Sequence, residues 1–443
     1  MAASDRPTDL PAWALPVLPA LGLLALTLIA LSLLANPVFL AYDSMQSYSH
    51  VWFLSDQIFH HANFPLRISL LDDGNAATFP YGLVPFLIGA LIFPIFGNWA
   101  VVLMMTFVML GTIWAATLVR PTLRNPWLIL LFIMNPFFID AVYAFQFVTL
   151  WSIFFFFLFV WSFEHDRRLA AGVFLWLALS THPIIGSVGV ASYSAAVFFF
   201  DRPRVAQLAI LFVPVAIALM PVVWMTLLTP AAGENSLKTA VLTLLIKVLP
   251  RRATIMLTPF VLPLLKPLVL RYYRVTFAFF TASLGLGLML ATGPIAIGDG
   301  SYYGVTHRSS DIYASFFASP QFHPGATYRV MEPNDREDGM YFFMQHGAVL
   351  GNEFFTESIF RNDWTVGQYE CFLSYKEVNY VVIEQAYVNS DHTNEKNLLD
   401  SFVTSGLAEI SYADPADRFT VYDVQASNAQ TPRPTSFDSC GFQ

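Results

Sequence analysis

Asp43, His50, His61 and Arg67 follow one another closely near the N-terminal end of the chain. On a helix of 3.6 residues per turn, Asp43, Gln46/Ser47, His50, Gln57 and His61 share one stripe, whereas Val51, Phe53, Leu54 and Ile58 face elsewhere. A carboxylate with histidine and arginine beside it suits transfer from a phosphate leaving group. The carboxylate takes the proton of an acceptor hydroxyl, and the cations offset the charge that builds on the departing phosphate. The plainer alternative is an amphipathic helix lying at a membrane surface with its polar face in water.

Further polar residues interrupt apolar runs. Asn135-Pro136 through Asp140 and Gln146 read as a turn between two spans, Thr181-His182-Pro183 as a later turn, and Glu234 with Lys238 as a third outer position. Ionisable groups at helix ends of an apolar chain are functional candidates. Each also has an ordinary reading: Asp140 as a cap, Lys238 as a snorkelling side chain, His182 as a turn residue before proline. There is no CxxC motif and no histidine-rich cluster, so no metal site and no cofactor is called for.

The elements that must position these residues are apolar. Of 443 residues, 56% are hydrophobic and only 12% charged, and phenylalanine alone accounts for 42. A soluble core needs far less, so lipid is part of the solvent. Apolar runs predict helices at 13–35, 99–119, 126–143, 147–163, 169–182, 184–200, 205–229, 253–270 and 275–297. The first is about one bilayer span long and reads as a retained helix rather than a cleaved leader. The stretch 169–200 reads as broken helices or one long tilted helix. Residues 81–97 are apolar but carry Pro85 and Pro94, and read as juxtamembrane or re-entrant.

Loop charges set the orientation. If 81–97 does not cross, Arg120/Arg124, Arg167/Arg168, Arg202/Arg204 and Arg271/Arg274 all share the side of the N-terminus, which the positive-inside rule makes cytoplasmic. The loop 36–98 and residues 298–443 then lie outside, with Arg251 and Arg252 as the exception. From Asp299 onward there are 20 Asp/Glu against 8 Lys/Arg, and before it 11 against 15. This is the signature of an embedded region with basic loops (1–297) joined to an acidic soluble domain (298–443), and it makes nucleic acid an unsuitable partner.

That domain reads as mixed α/β. Tyr328–Met331 and Tyr380–Glu384 read as buried strands, Asn394–Ser405 as a helix closed by Gly406, and Leu407–Tyr412 with Arg418–Tyr422 as a hairpin around Asp414-Pro415-Ala416-Asp417. Beyond Gln425 the tail is polar and reads as loose. Cys371 and Cys440 are the only cysteines, and both lie in the part placed outside the cytoplasm, where they can pair.

The plan resembles the GT-C glycosyltransferases. A span is followed at once by an acid, then by a long outer loop, many spans and a C-terminal soluble domain. It is most similar to bacterial multi-pass proteins described as pyruvoyl-tetrahydropterin-synthase-related. The residues that carry the likeness are Asp43 and His50 after the first span, Asn135-Pro136 through Gln146, Leu179-Ser180-Thr181-His182-Pro183, and Asn379-Tyr380-Val381-Val382-Ile383 before a helix and hairpin. Where some GT-C branches have an Asp-Glu pair, this chain has Asp43-Ser44.

The resemblance implies an α-helical multi-pass membrane protein of about nine spans with a C-terminal soluble α/β domain. It implies inverting transfer of a sugar from a polyprenyl-phosphate donor to a glycan, lipid or protein acceptor outside the cytoplasm, with Asp43 as base, His50, His61 or Arg67 near the donor phosphate, and His182, Arg251 and Arg252 as weaker phosphate-side candidates. A transporter component, or a non-catalytic scaffold of envelope glycan assembly, are the competing classes. A carrier would use a gradient, and a scaffold would tolerate loss of Asp43.

Overall fold

The computed structural model describes residues 44–65, 70, 83–133, 135–143, 145–228, 249–271, 311–331, 338–351, 364–385, 394–425, 434 and 440. The runs 13–35 and 275–297, the candidates Asp43, Arg67, Glu234 and Lys238, and most of the tail after Gln425 lie outside these residues. The chain is mostly helical with a small sheet, and it divides into two compact units. The first takes in 83–227 and 249–271. The second takes in 48–65 and 70 together with the described residues from 311 onward. The first loop, which the sequence joins to the helical domain, is therefore divided: residues 48–65 and 70 belong to the unit of the C-terminal sheet and residues 83–98 to the helical unit.

The helical unit runs α2 Leu83–Phe96, α3 Trp99–Val119, α4 Pro126–Ile133, α5 Pro136–Tyr143, α6 Phe147–Glu164, α7 Arg168–Thr181, α8 Pro183–Phe200, α9 Val205–Leu228 and α10 Leu249–Arg271; α1, Ser44–His61, precedes them. Among the described residues, Trp99–Val119, Phe147–Glu164, Pro183–Phe200 and Arg202–Met220 are long and apolar enough to cross a bilayer, and α2, α7 and Thr254–Leu264 are shorter apolar helices.

Three breaks are written in the sequence. The run 126–143, expected as one helix, is two helices of eight residues, each about 12 Å long at 1.5 Å per residue. Pro136 cannot donate a backbone hydrogen bond and disfavours helical geometry at Asn135. The Asn135 side chain then caps α5, accepting from Phe137 N at 3.0 Å, while its Nδ2 donates to Thr258 Oγ1 of α10 at 2.9 Å. His182-Pro183 likewise divides 169–200 into α7 and α8, the broken-helix alternative. Residues 83–96 form a helix packed on α3 across the tight turn Gly97-Asn98, where Gly97 takes φ +55°. A left-handed residue in so short a connection favours glycine.

The core of this unit is α6, most of whose residues are buried between α3, α7 and α8. Close packing around it requires small residues. A Cβ on Gly189 of α8 would come within 2.7 Å of Met256 and 3.1 Å of Phe156, and one on Gly186 would collide with the Ala178 carbonyl. Arg120 Nη1 lies 3.0 Å from Glu164 Oε2, and Arg204 Nη1 donates to the Glu164 carbonyl at 3.4 Å. The C-terminal ends of α3 and α6 and the turn after α8 thus meet at one charge-rich end.

The second unit holds α1 from Tyr48, α11 Asp311–Phe317, β1 Thr327–Met331, α12 Asp338–Gln345, β2 Val349–Leu350, α13 Val366–Tyr375, β3 Tyr380–Glu384, α14 Glu395–Ser405, β4 Glu409–Ala413 and β5 Phe419–Asp423. The sheet order is β2-β1-β3-β5-β4. The first three strands are parallel, and β5 is antiparallel to both its neighbours. Alternation sends Tyr328, Tyr380 and Phe419 towards the rings of Tyr313, Phe316 and Phe343 from α11 and α12. It sends Val381, Ile383 and Tyr422 into a core with Trp364, Phe372, Leu398 and Phe402 on the α13–α14 side. Helices cover both faces, as parallel strands require.

Candidate functional site

The first half of α1 does not lie with its polar face in water. Ser47, Ser49, His50 and Ser55 are buried together with Tyr48, Val51, Phe53 and Leu54, and His50 is only 1% exposed. The second half emerges into solvent, with Phe59, His60 and His61 exposed. His50 and His61 are eleven residues apart, or roughly 16 Å along the axis, so one small ligand cannot use both from the same helix.

His61 has a partner that the stripe did not include. Asp56 Oδ2 lies 3.4 Å from His61 Nε2, and Asp56 Oδ1 lies 3.0 Å from His60 Nδ1. The signal was present in the i, i+4 spacing of Asp56 and His60. Gln57, a member of the stripe, is used locally: its Oε1 accepts from Asn63 Nδ2 at 3.1 Å, closing the helix end.

What holds α1 is aromatic. Tyr341 of α12 is fully buried, with its ring 5.6 Å from that of Tyr48 and 6.5 Å edge-on from that of Trp52. The Tyr341 hydroxyl accepts from Gln345 Nε2 at 2.8 Å, and burial pushes its ionisation well above the usual phenol range. Further along the loop, Leu350 N of β2 donates to the Leu70 carbonyl at 2.9 Å. Tyr48, Trp52 and Tyr341 escaped the sequence reading because an aromatic residue among 42 phenylalanines and 18 tyrosines carries no mark of its partner.

In the helical unit, α6 and α7 run antiparallel, with Ser152 Oγ donating to the Ala178 carbonyl at 2.9 Å. Gln146, just before α6, and His182, just after α7, therefore share the end opposite Arg120 and Glu164. Gln146 Oε1 accepts from Thr149 Oγ1 at 3.3 Å. His182 is buried and caps α8, its Nδ1 accepting from Ile185 N at 3.4 Å. That bond requires an unprotonated Nδ1. Asp140 lies on α5, and Arg251 and Arg252 in the first turn of α10.

Among the described residues no group of three or more His, Cys, Asp or Glu side chains is placed to hold a metal ion. Cys371 of α13 is disulfide-bonded to Cys440, with 5.5 Å between Cα atoms, which ties that point of the tail to the sheet unit. No family model, no curated protein and no solved structure matches the chain.

Proposed function

We propose that the chain is a multi-pass membrane glycosyltransferase of GT-C type. It moves a sugar from a polyprenyl-phosphate donor to a glycan, lipid or protein acceptor outside the cytoplasm, with Asp43 as base. The observation that carries this reading is the burial of Ser47, Ser49 and His50 in the helix that follows Asp43. A helix merely floating at an interface keeps such groups in water. Interactions within the protein offset the cost of withdrawing them from water and tie this helix to the fold.

The gathering of Arg120, Glu164 and Arg204 at one end supports placing that end in the cytoplasm. Gln146 and His182 then face the other side, as do the 36–98 loop and residues 298–443. The count of nine spans and the roles of His50, His61, Arg67, Asp140, Arg251 and Arg252 at the donor phosphate belong to the same proposal.

The test is transfer of labelled sugar from a polyprenyl-phosphate donor pool in membranes, at matched protein levels. Asp43→Asn keeps size and hydrogen bonding but removes the base. Transfer is expected to fall by at least about 10²-fold with normal insertion. Undiminished transfer would take Asp43 out of the mechanism. If the wild-type protein transfers sugar from no donor, the scaffold class replaces the enzyme.

A further inference from the structure

We infer that the C-terminal sheet domain holds the first-loop helix α1 in its working orientation, with Tyr341 as the positioning residue. The significance for catalysis rests on the glycosyl-transfer reading; the coupling itself rests on geometry alone.

Three observations on independent parts of the loop agree. From Tyr48 onward α1 belongs to the compact unit of the sheet, although more than two hundred positions in the chain separate the two. Tyr341, fully buried on α12, is in ring contact with both Tyr48 and Trp52, residues four apart and so on one face of α1. Beyond the helix, the β2 amide of Leu350 is bonded to the Leu70 carbonyl. The helix is thus held near its start, and the loop again past its end.

Tyr341 stands on α12, the helix packed on β1 and β2, so its ring contacts with Tyr48 and Trp52 restrict how α1 rotates and slides. Asp43 immediately precedes Ser44, the first residue of α1. A base must meet its acceptor within about 2.6–3.2 Å, and misplacement of about 1 Å costs up to about 10² in rate. The acidic domain, on this view, fixes the loop rather than binding substrate itself.

The experiment uses the full-length protein in lipid nanodiscs, with amide hydrogen exchange and the transfer assay run on the same preparations. Tyr341→Ala is expected to speed exchange over 48–57 by at least about 10-fold while β3 and β5 stay protected, since local opening is separable from global unfolding. Trp52→Ala, made from the other side of the contact, should act in the same direction, and Tyr341→Phe, which keeps the ring, should restore protection. In the transfer assay Tyr341→Ala should lower kcat with little change in KM for the donor, and Tyr341→Phe should recover kcat.

Unchanged exchange over 48–57 in both alanine variants overturns the inference. So does equal loss of protection across β3 and β5 in both, which is plain unfolding, and so does normal kcat in an α1-loosened variant. If wild type transfers no sugar, the functional reading fails by that result. The exchange arm still decides whether the domain holds α1.

Discussion

In the helical unit large apolar side chains lie outside as well as inside: Ile95, Leu169, Phe200, Ile210 and Leu264 are all more than 70% exposed while Phe157 and Phe159 are fully buried. In the sheet unit they lie inside, and large exposed ones are few, Phe59 and Ile410 among them. The exposed apolar faces of the helical unit are compatible with insertion into a bilayer, whereas the sheet unit keeps most of its described large apolar side chains inside. Polar groups follow the same division. Two buried hydroxyls of the helical unit turn to backbone carbonyls, Ser152 to Ala178 and Thr112 to Leu150, while that of Thr149 turns to Gln146 Oε1. The sheet unit instead buries charge against charge. Arg329 Nη2 and Glu395 Oε1 are 2.6 Å apart with both side chains at most 1% exposed, and the guanidinium lies 4.9 Å from the Phe372 ring centroid.

The largest expected effect lies at that ion pair. Glu395→Ala removes the carboxylate 2.6 Å from the buried Arg329 guanidinium and should destabilise the sheet unit by about 3–5 kcal/mol, read by denaturant unfolding followed at Trp364. A double replacement by apolar residues of similar volume should recover most of that loss. If Glu395→Ala alone is neutral, burial of charge is not what distinguishes this unit.

Cys440→Ser comes next. It opens a loop of 69 residues, and the chain-entropy model gives about 4 kcal/mol, with measured losses of 2–5 kcal/mol typical of native bonds. Thermal unfolding with and without reductant checks it: the variant should show no further response to reductant.

A smaller and pH-dependent effect belongs to the β4–β5 turn. Asp414 accepts from Arg418 Nε at 2.8 Å, Arg418 Nη2 at 2.9 Å and the amides of Ala416 and Arg418. The Arg418 side-chain hydrogen bonds, against some opposition from burial, hold the carboxyl below its usual range. Its stabilisation is therefore present above the unfolded-state pKa of about 3.9 and is lost as pH falls through the lower folded-state value. Asp414→Asn should cost about 1–2 kcal/mol at neutral pH and flatten the acid limb of the stability curve.

The smallest effect is expected at the edge of the helical unit. Arg120 and Glu164 are each a quarter to a third exposed, so Glu164→Gln should change stability by under about 1 kcal/mol. A loss as large as that of Glu395→Ala would mean that this end of the unit is far drier than its exposure indicates.

Much of both units was legible in local pattern. The strands at 327–331 and 380–384, the helix stopped by Gly406 in the left-handed region, and the hairpin around Asp414 follow from alternation, capping and turn residues, all short-range signals. The apolar runs at 99–119 and 147–163 are helices for the same reason. Less legible were α11, α12 and the two-residue β2, whose aromatic or brief sequences carry no clean period. The break at Asn135 was read as a turn between spans, and it lies inside what was taken for one span, because a proline says where a helix must stop but not how far the chain has travelled.

By itself, the sequence determined the apolar character of most of the chain, the acidic character of the rest, the points at which proline and glycine interrupt helices, and which residues have chemistry to offer. These depend on residues within a few positions of one another. Tertiary structure alone decided that His50 is buried while His61 is exposed, that Asp56 sits between His60 and His61, and that the loop after Asp43 is built into the C-terminal sheet unit through Tyr48, Trp52 and Tyr341. The physical reason is that burial of a helix face depends on what packs against it, and the residues that pack here stand almost three hundred positions away in the chain.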